Sequence, residues 1–372
     1  MNRGHVLTAL KLLIAAGLIY WVIDTAGWDN IRDALAHIDR TGWIMGLSAI
    51  ILANLLAMLR WHLLMRSAGL RSTPWLAIRL GFIGVFSNNV IPGLTGGDLV
   101  KAIYVSRENP GQRTAAVISV IVDRIVGIVA LALIAAAVIP LDLERFGQAA
   151  WGIYGFLAAA GVGGALVFSR RAKAKLRGAL GRFGRKSSGE GFLAKADNAV
   201  SIYRDRIGTM AVALLMSFAV HMLIILSLKI FGDAMADGGM AALEVANAES
   251  VLTVEQVEAN KAEYDALFKL GSVGFTSYSS IIPIIMIISA LPISPAGWGV
   301  GEAAFVHFFA TVDVNKSLAA ALSLTYRITV LLVSLIGGLL LVADRKRVME
   351  AASTAHEEEA GGGDLGAGTS PG

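Results

Sequence analysis

The chain alternates long apolar runs with short polar stretches. Runs at 6–23, 42–60, 115–139, 151–168, 208–231 and 317–343 are each long enough, at about 1.5 Å per helical residue, to cross a hydrocarbon core of about 30 Å. Two further apolar runs, 75–91 and 276–293, stop at clusters of Pro and Gly and resume as short helical patterns at 98–106 and 301–311. Backbone that leaves helical geometry at membrane depth must be buried in protein or line a wet cavity, so these two read as re-entrant hairpins. The expected fold is an all-α polytopic membrane protein with about six full transmembrane helices plus two re-entrant hairpins.

The two breaks resemble each other. Pro92-Gly93-Leu94-Thr95-Gly96-Gly97-Asp98 is followed 26 residues later by Arg124, and Pro295-Ala296-Gly297-Trp298-Gly299-Val300-Gly301-Glu302 is followed 25 residues later by Arg327. Loop charge sets their orientation, because Lys and Arg near span ends are retained in the cytoplasm. Segment 169–207 carries eleven Lys and Arg against three acids. With that segment inside, six crossings also put Arg60, Arg66 and Arg71, then Lys101, Arg107 and Arg113, then Arg345, Lys346 and Arg347 inside, with both termini cytoplasmic. The hairpin ending at Asp98 then enters from the cytoplasm and the one ending at Glu302 from the opposite face. That arrangement is an inverted repeat, and interrupted segments at matching positions of two halves point to a site near the bilayer midplane.

Composition supports this class: 55% of the 372 residues are hydrophobic, 16% are charged and the mean hydropathy is +0.65. No Cys is present, which removes disulfides and thiolate chemistry. Residues 1–22 carry Arg3 and Lys11 but no convincing cleavage site follows, which predicts an uncleaved first transmembrane helix. Trp28, Ile31, Leu35 and Ile38 recur at helical spacing, predicting an interfacial helix on the outer face. Within an outer insertion at 232–275, Thr253 and Gln256 have capping-box spacing, Leu252 and Val257 form a staple, and Gly271 ends the short soluble helix that follows. Residues 1–347 read as one integral membrane domain and 348–372 as a disordered cytoplasmic tail.

Chemistry concentrates at the breaks. Pro92 and Pro295 lack an N–H, while Gly93, Gly96, Gly97, Gly297, Gly299 and Gly301 permit sharp turns and close approach. Each break starts a half-helix whose free N–H groups attract anions. An Arg placed mid-span is unfavourable by about 2.5–3.5 kcal/mol unless it faces an interior partner, and guanidinium is a fork of donors matched to phosphate or carboxylate. Two compatible readings follow for Asp98 with Arg124 and Glu302 with Arg327. They staple hairpin to crossing by neutralising each other, or they hold an anionic head group as it crosses.

Around them, Asn88, Asn89 and Ser294 line the same cavity or satisfy freed backbone groups. Tyr326 adds a hydroxyl or packs, and Lys101 contacts a lipid phosphate or snorkels to the surface. Asp123 competes for Arg124, although consecutive helical residues diverge. Arg60-Trp61-His62 reads chiefly as an interfacial anchor. His221 and His307 read as core histidines, and no metal-ligand spacing or P-loop is present. No catalytic residue, metal or cofactor is expected.

The motifs Asn88 through Asp98, Val122-Asp123-Arg124-Ile125-Val126-Gly127, Ser294 through Glu302 and Tyr326-Arg327 resemble the lysylphosphatidylglycerol synthase transmembrane-region family, over about residues 5–345. Trp298 within the second break and the length of the 232–275 insertion depart from the pattern. The resemblance implies a flippase-like protein related to the membrane half of multiple peptide resistance factor and to relatives in hopanoid or glycolipid pathways. The soluble synthase domain of that factor has no counterpart after Arg347, so lipid aminoacylation by this chain alone is not expected. The expected function is translocation of an anionic phospholipid or lipid-linked intermediate between leaflets of a bacterial inner membrane, through a central polar cavity. The alternative is a membrane subunit or enzyme of lipid modification, and a passive scaffold is the third reading. Expected partners are membrane lipids and a lipid-synthesis enzyme, with a homo-oligomer left open and no nucleic acid.

Overall fold

The computed structural model describes residues 27–90, 96–143, 151–159, 206–249, 253–290 and 297–361, together with a few single positions such as Tyr203 and Ser294. Every element described is helical: α1 Trp28–Ala36, α2 Arg40–Ser67, α3 Pro74–Val90, α4 Gly96–Glu108, α5 Arg113–Val138, α6 Ile207–Glu249, α7 Val254–Ser272, α8 Phe275–Ser289, α9 Val300–Ala310 and α10 Lys316–Gly361. A 3-10 turn, Ile139–Asp142, ends α5, and 151–159 is helical.

Four described helices are long and apolar enough to cross a membrane: Arg40–Ser67, Arg113–Leu141, Ile207–Ala248 and Lys316–Ala343. A fifth is added if Glu255–Ser272 and Phe275–Ser289, which meet at 84°, count as one broken span. The protein is therefore an all-helical, multi-pass membrane protein. Most of the expected crossing at 6–23, the second half of that at 151–168, nearly all of the basic segment 169–207 and the residues Pro92, Gly93, Pro295 and Ala296 lie outside the described residues.

Helices α2 and α6 form the central antiparallel pair. The Asp39 carboxylate caps α2 by accepting from Gly42 N–H at 2.6 Å, and the Asp39 N–H donates to the Ala234 carbonyl at 2.8 Å, fixing the two helices at one end. Small residues then let the backbones approach, as in close membrane helix pairs. A side chain at Gly42 would strike Ala234, and one at Gly46 would strike the Phe231 ring. The four elements around the breaks pack crosswise on this pair: α3 lies against α10, and α8 lies against α5. Within each half the order is the same, with α3 on α4 and α4 on α5, and α8 on α9 and α9 on α10.

Two expectations change. The crossing expected at 208–231 does not stop there: α6 runs on to Glu249, about 64 Å by helical rise, and α7 packs back along it, so the insertion is a helical hairpin. Gly232, Gly238 and Gly239 do not break α6; they are contact points for the Tyr278 hydroxyl, the His37 carbonyl and the Leu267 side chain. The capping box is as expected, with Gln256 N–H donating to Thr253 Oγ1 at 3.3 Å and Thr253 N–H to Gln256 Oε1 at 2.9 Å. The last helix also continues to Gly361, through the first part of the expected tail; residues 362–372 are outside the described set. Helix α1 turns Ile31, which is fully buried, and Leu35 onto protein, and Ile38 just beyond its end also packs on the core.

Candidate functional site

The two breaks place their charged residues in the same register. Asp98 is the third residue of α4 and Glu302 the third of α9; Arg124 and Arg327 each stand eleven residues beyond the first residue of α5 and α10. Both arginines therefore lie about 16 Å along their helices. Each reaches the acid of its own half. Arg124 Nε donates to Asp98 Oδ2 at 2.5 Å, and Arg327 Nε donates to Glu302 Oε1.

Their surroundings differ. In the second half the pair is enclosed: Glu302 is 2% exposed and also accepts from the Gly299 N–H at 2.6 Å, so the chain's own carboxylate occupies the start of α9. Arg327 Nη2 donates to the Gly297 carbonyl at 2.8 Å and to Glu302 Oε2 at 3.3 Å, and the guanidinium lies 4.5 Å from the centre of the Trp298 ring, a cation–π contact. Gly297 and Gly299 take φ of 72° and 78°, the left-handed region in which glycine has no steric penalty. At Gly301 a side chain would fall 2.8 Å from Arg327 Nη2. Trp298, a departure from the family pattern by sequence, is the lid of this cluster.

The first half is open. The Arg124 side chain is 41% exposed, against 16% for Arg327, and Asp98 is its one hydrogen-bond partner among the described residues. Asn88, at the end of α3, accepts from the Gly97 N–H at 2.9 Å, so a neutral carboxamide caps the start of α4. Lys101, one turn after Asp98, threads its stem past Gly84 and sets its ammonium 5.2 Å from the Trp61 ring centre. No carboxylate pairs with Lys101 among the described residues. Asp98 and Arg124 therefore balance in charge, as Glu302 and Arg327 do, and Lys101 stands one turn along α4 from the open pair, turned toward α3 and Trp61.

The other candidates separate. Asn89 donates to the Val85 carbonyl of its own helix at 3.0 Å, and Tyr326 packs against the apolar core. The Ser294 hydroxyl is buried without a hydrogen-bond partner among the described residues. Gly96 opens α4 and Gly97 is buried against α3.

A further ion pair escapes a reading of the sequence. Arg60 is 6% exposed rather than an interfacial anchor; its Nε donates to Asp123 Oδ1 at 2.9 Å and its Nη1 to Ser217 Oγ at 2.6 Å, joining α2, α5 and α6. Asp123 thus turns away from its neighbour Arg124, as the 100° step between helical residues requires. One turn along, His221 Nε2 bonds the Gly127 carbonyl at 2.9 Å, which keeps it a core histidine. Among the described residues no group of His, Cys, Asp and Glu could hold a metal.

The sequence profile of the family described as "Lysylphosphatidylglycerol synthase TM region" matches residues 8–246 and 271–338. The chain belongs to this family. It is also 25% identical over 122 residues to the UPF0104 membrane protein PH1989 of Pyrococcus horikoshii, a match covering 32% of this chain and 36% of that protein. The chain thus spans about a third of the length of the curated relative it matches. Both halves of the site fall within the family match; 247–270, which holds most of α7, falls outside it.

Proposed function

We propose that this member of the lysylphosphatidylglycerol synthase TM-region family translocates lipids with anionic head groups across a bacterial inner membrane. The observation that carries the reading is the inequality of two otherwise matched sites. One pair is open, beside a helix start capped only by a neutral carboxamide; the other is sealed by its own carboxylate, a carbonyl and an indole. A carrier that exposes its site to one face at a time has this form, with one half accessible and the other closed.

In this reading α3–α4 and α8–α9 are re-entrant hairpins of opposite orientation, six crossings surround them, and both termini are cytoplasmic. The crosswise packing of α3 on α10 and α8 on α5 supports an inverted repeat, since exchanging the halves exchanges these contacts. The head group takes the free guanidinium donors of Arg124, with Lys101 adding charge and Asp98 keeping the site from holding the anion too tightly to release. Closing the first half and opening the second transfers the head group to Arg327, displacing Trp298. A permanently fixed anion would not be carried.

The test is translocation of fluorescent phosphatidylglycerol in liposomes, read by chemical quenching of the outer leaflet. Arg124→Ala with Arg327→Ala is expected to reduce the rate to that of protein-free vesicles. A folded double variant as fast as the unaltered protein refutes the reading. The family's description also supports a second one, a membrane subunit of lipid modification, which predicts loss of a modified lipid from cells without any change in flipping.

A further inference from the structure

Helices α4 and α5 run antiparallel and leave a cavity of about 380 Å³ between them. Its walls are Leu99, Ile103 and Val117, all of them exposed, and Arg107 and Arg113 close one end. Along α5 the apolar wall continues through exposed Ile121 and Ile125. The other end of the same helix pair is the open Asp98–Arg124 site. Nine residues of α4 separate Asp98 from Arg107 and eleven of α5 separate Arg113 from Arg124, about 14–16 Å by helical rise.

No carboxylate lines the cleft. The nearest acid on α4, Glu108, turns to Arg79 at 3.9 Å. Ser106 spends its hydroxyl on the Ala102 carbonyl at 2.6 Å. Arg107 lies 5.9 Å from the Tyr104 ring centre, and neither Arg107 nor Arg113 has a carboxylate partner among the described residues. An apolar trough with two unneutralised guanidinium groups at one end matches an amphiphile: hydrocarbon against the trough, phosphate on the forks. A soluble anion would need no trough, and an apolar partner would leave two cations unused.

We infer that this cleft is a lateral entry groove, in which Arg107 and Arg113 take the phosphate of an anionic phospholipid whose acyl chain lies along Leu99, Ile103 and Val117 before the head group moves to Arg124. The inference rests on the translocation reading and deepens it, because it names the route by which lipid reaches the open site.

The full chain in detergent micelles, titrated with phosphatidylglycerol and separately with phosphatidylcholine, gives lipid occupancy by native mass spectrometry. Arg107→Gln with Arg113→Gln is expected to weaken phosphatidylglycerol binding at least fivefold and leave phosphatidylcholine unchanged. Ile103→Trp, which fills the trough and keeps both charges, is expected to lose phosphatidylglycerol equally. Circular dichroism melts at the unaltered temperature establish that both variants fold.

If both variants bind phosphatidylglycerol like the unaltered protein, the groove is refuted, even where Arg124→Ala with Arg327→Ala stops flipping. If they lose the lipid while that double variant flips normally, the groove stands and the translocation reading falls. Full displacement of phosphatidylglycerol by millimolar inorganic phosphate would mean a plain anion site and overturn the inference. So would a dimer in the same spectra that Ile103→Trp dissolves with lipid occupancy unchanged, because a second copy would then fill the cleft.

Discussion

Replacing either acid of the paired sites by alanine removes the same ion pair in two environments. Glu302→Ala takes away the carboxylate that meets Arg327 Nε and Nη2 and the Gly299 N–H, and leaves the Gly297 carbonyl and the Trp298 ring. With Glu302 2% exposed, this strands a buried cation, at a cost of about 3–5 kcal/mol, and the lost helix cap adds about 1 kcal/mol. Asp98→Ala leaves Arg124 with 41% of its side chain exposed, so water replaces much of the interaction; exposed pairs are worth about 0.2–1 kcal/mol. The second variant should therefore retain at least about 3 kcal/mol more stability than the first, a factor of more than a hundred in the unfolding constant. Equilibrium unfolding of both in mixed micelles, titrated with sodium dodecyl sulfate and followed by circular dichroism, measures the difference. If the two lose the same stability to within 1 kcal/mol, Arg124 has no access to water and the contrast between an open and a sealed site is wrong.

Asp123→Asn should cost about 3 kcal/mol in the same assay, because Arg60 is left buried and charged, and adding Arg60→Gln should recover much of it. Gly97→Ala would drive a methyl against the Gly84 carbonyl and within 2.7 Å of Asn88 Cγ; parting α3 from α4 should lower the melting point by the equivalent of about 1–3 kcal/mol. Gly152→Ala, with nothing within 4 Å of the added atom, is the control and should not destabilise. Thr253→Ala removes the α7 cap at about 1 kcal/mol. Hydrogen–deuterium exchange should rise at 254–258 with α2 and α6 unchanged.

Much of the site was legible because its signals are local. A Pro/Gly cluster inside an apolar run, an acid just after it and an Arg at helical depth define Asp98–Arg124 and Glu302–Arg327 without a structure, since an unpaired mid-span Arg must find an interior partner. The Thr253 capping box was equally readable from four residues. What escaped depends on helix rotation and distant neighbours. Arg60 at the end of an apolar run gives the same pattern whether it snorkels to the surface or turns inward to Asp123, 63 residues away. The apolar run ends at 231, and nothing local shows that the missing side chains of Gly238 and Gly239 are what let His37 and Leu267 close on a continuous α6. The contrast between the two sites was invisible for a similar reason: Trp298 lids one pair, and none of the described residues does so at the other.

The packing of α3 on α10 constrains how the chain is made. Val90 ends α3 and Lys316 begins α10, 226 residues later. At a ribosomal speed of about 5–20 residues per second, α3 waits roughly 11–45 seconds for its partner to emerge. During that interval a segment ending in Pro and Gly must be held by the insertion machinery or by α2 and α4 alone, so slowing synthesis beyond residue 90 should expose it to membrane proteases in proportion to the delay.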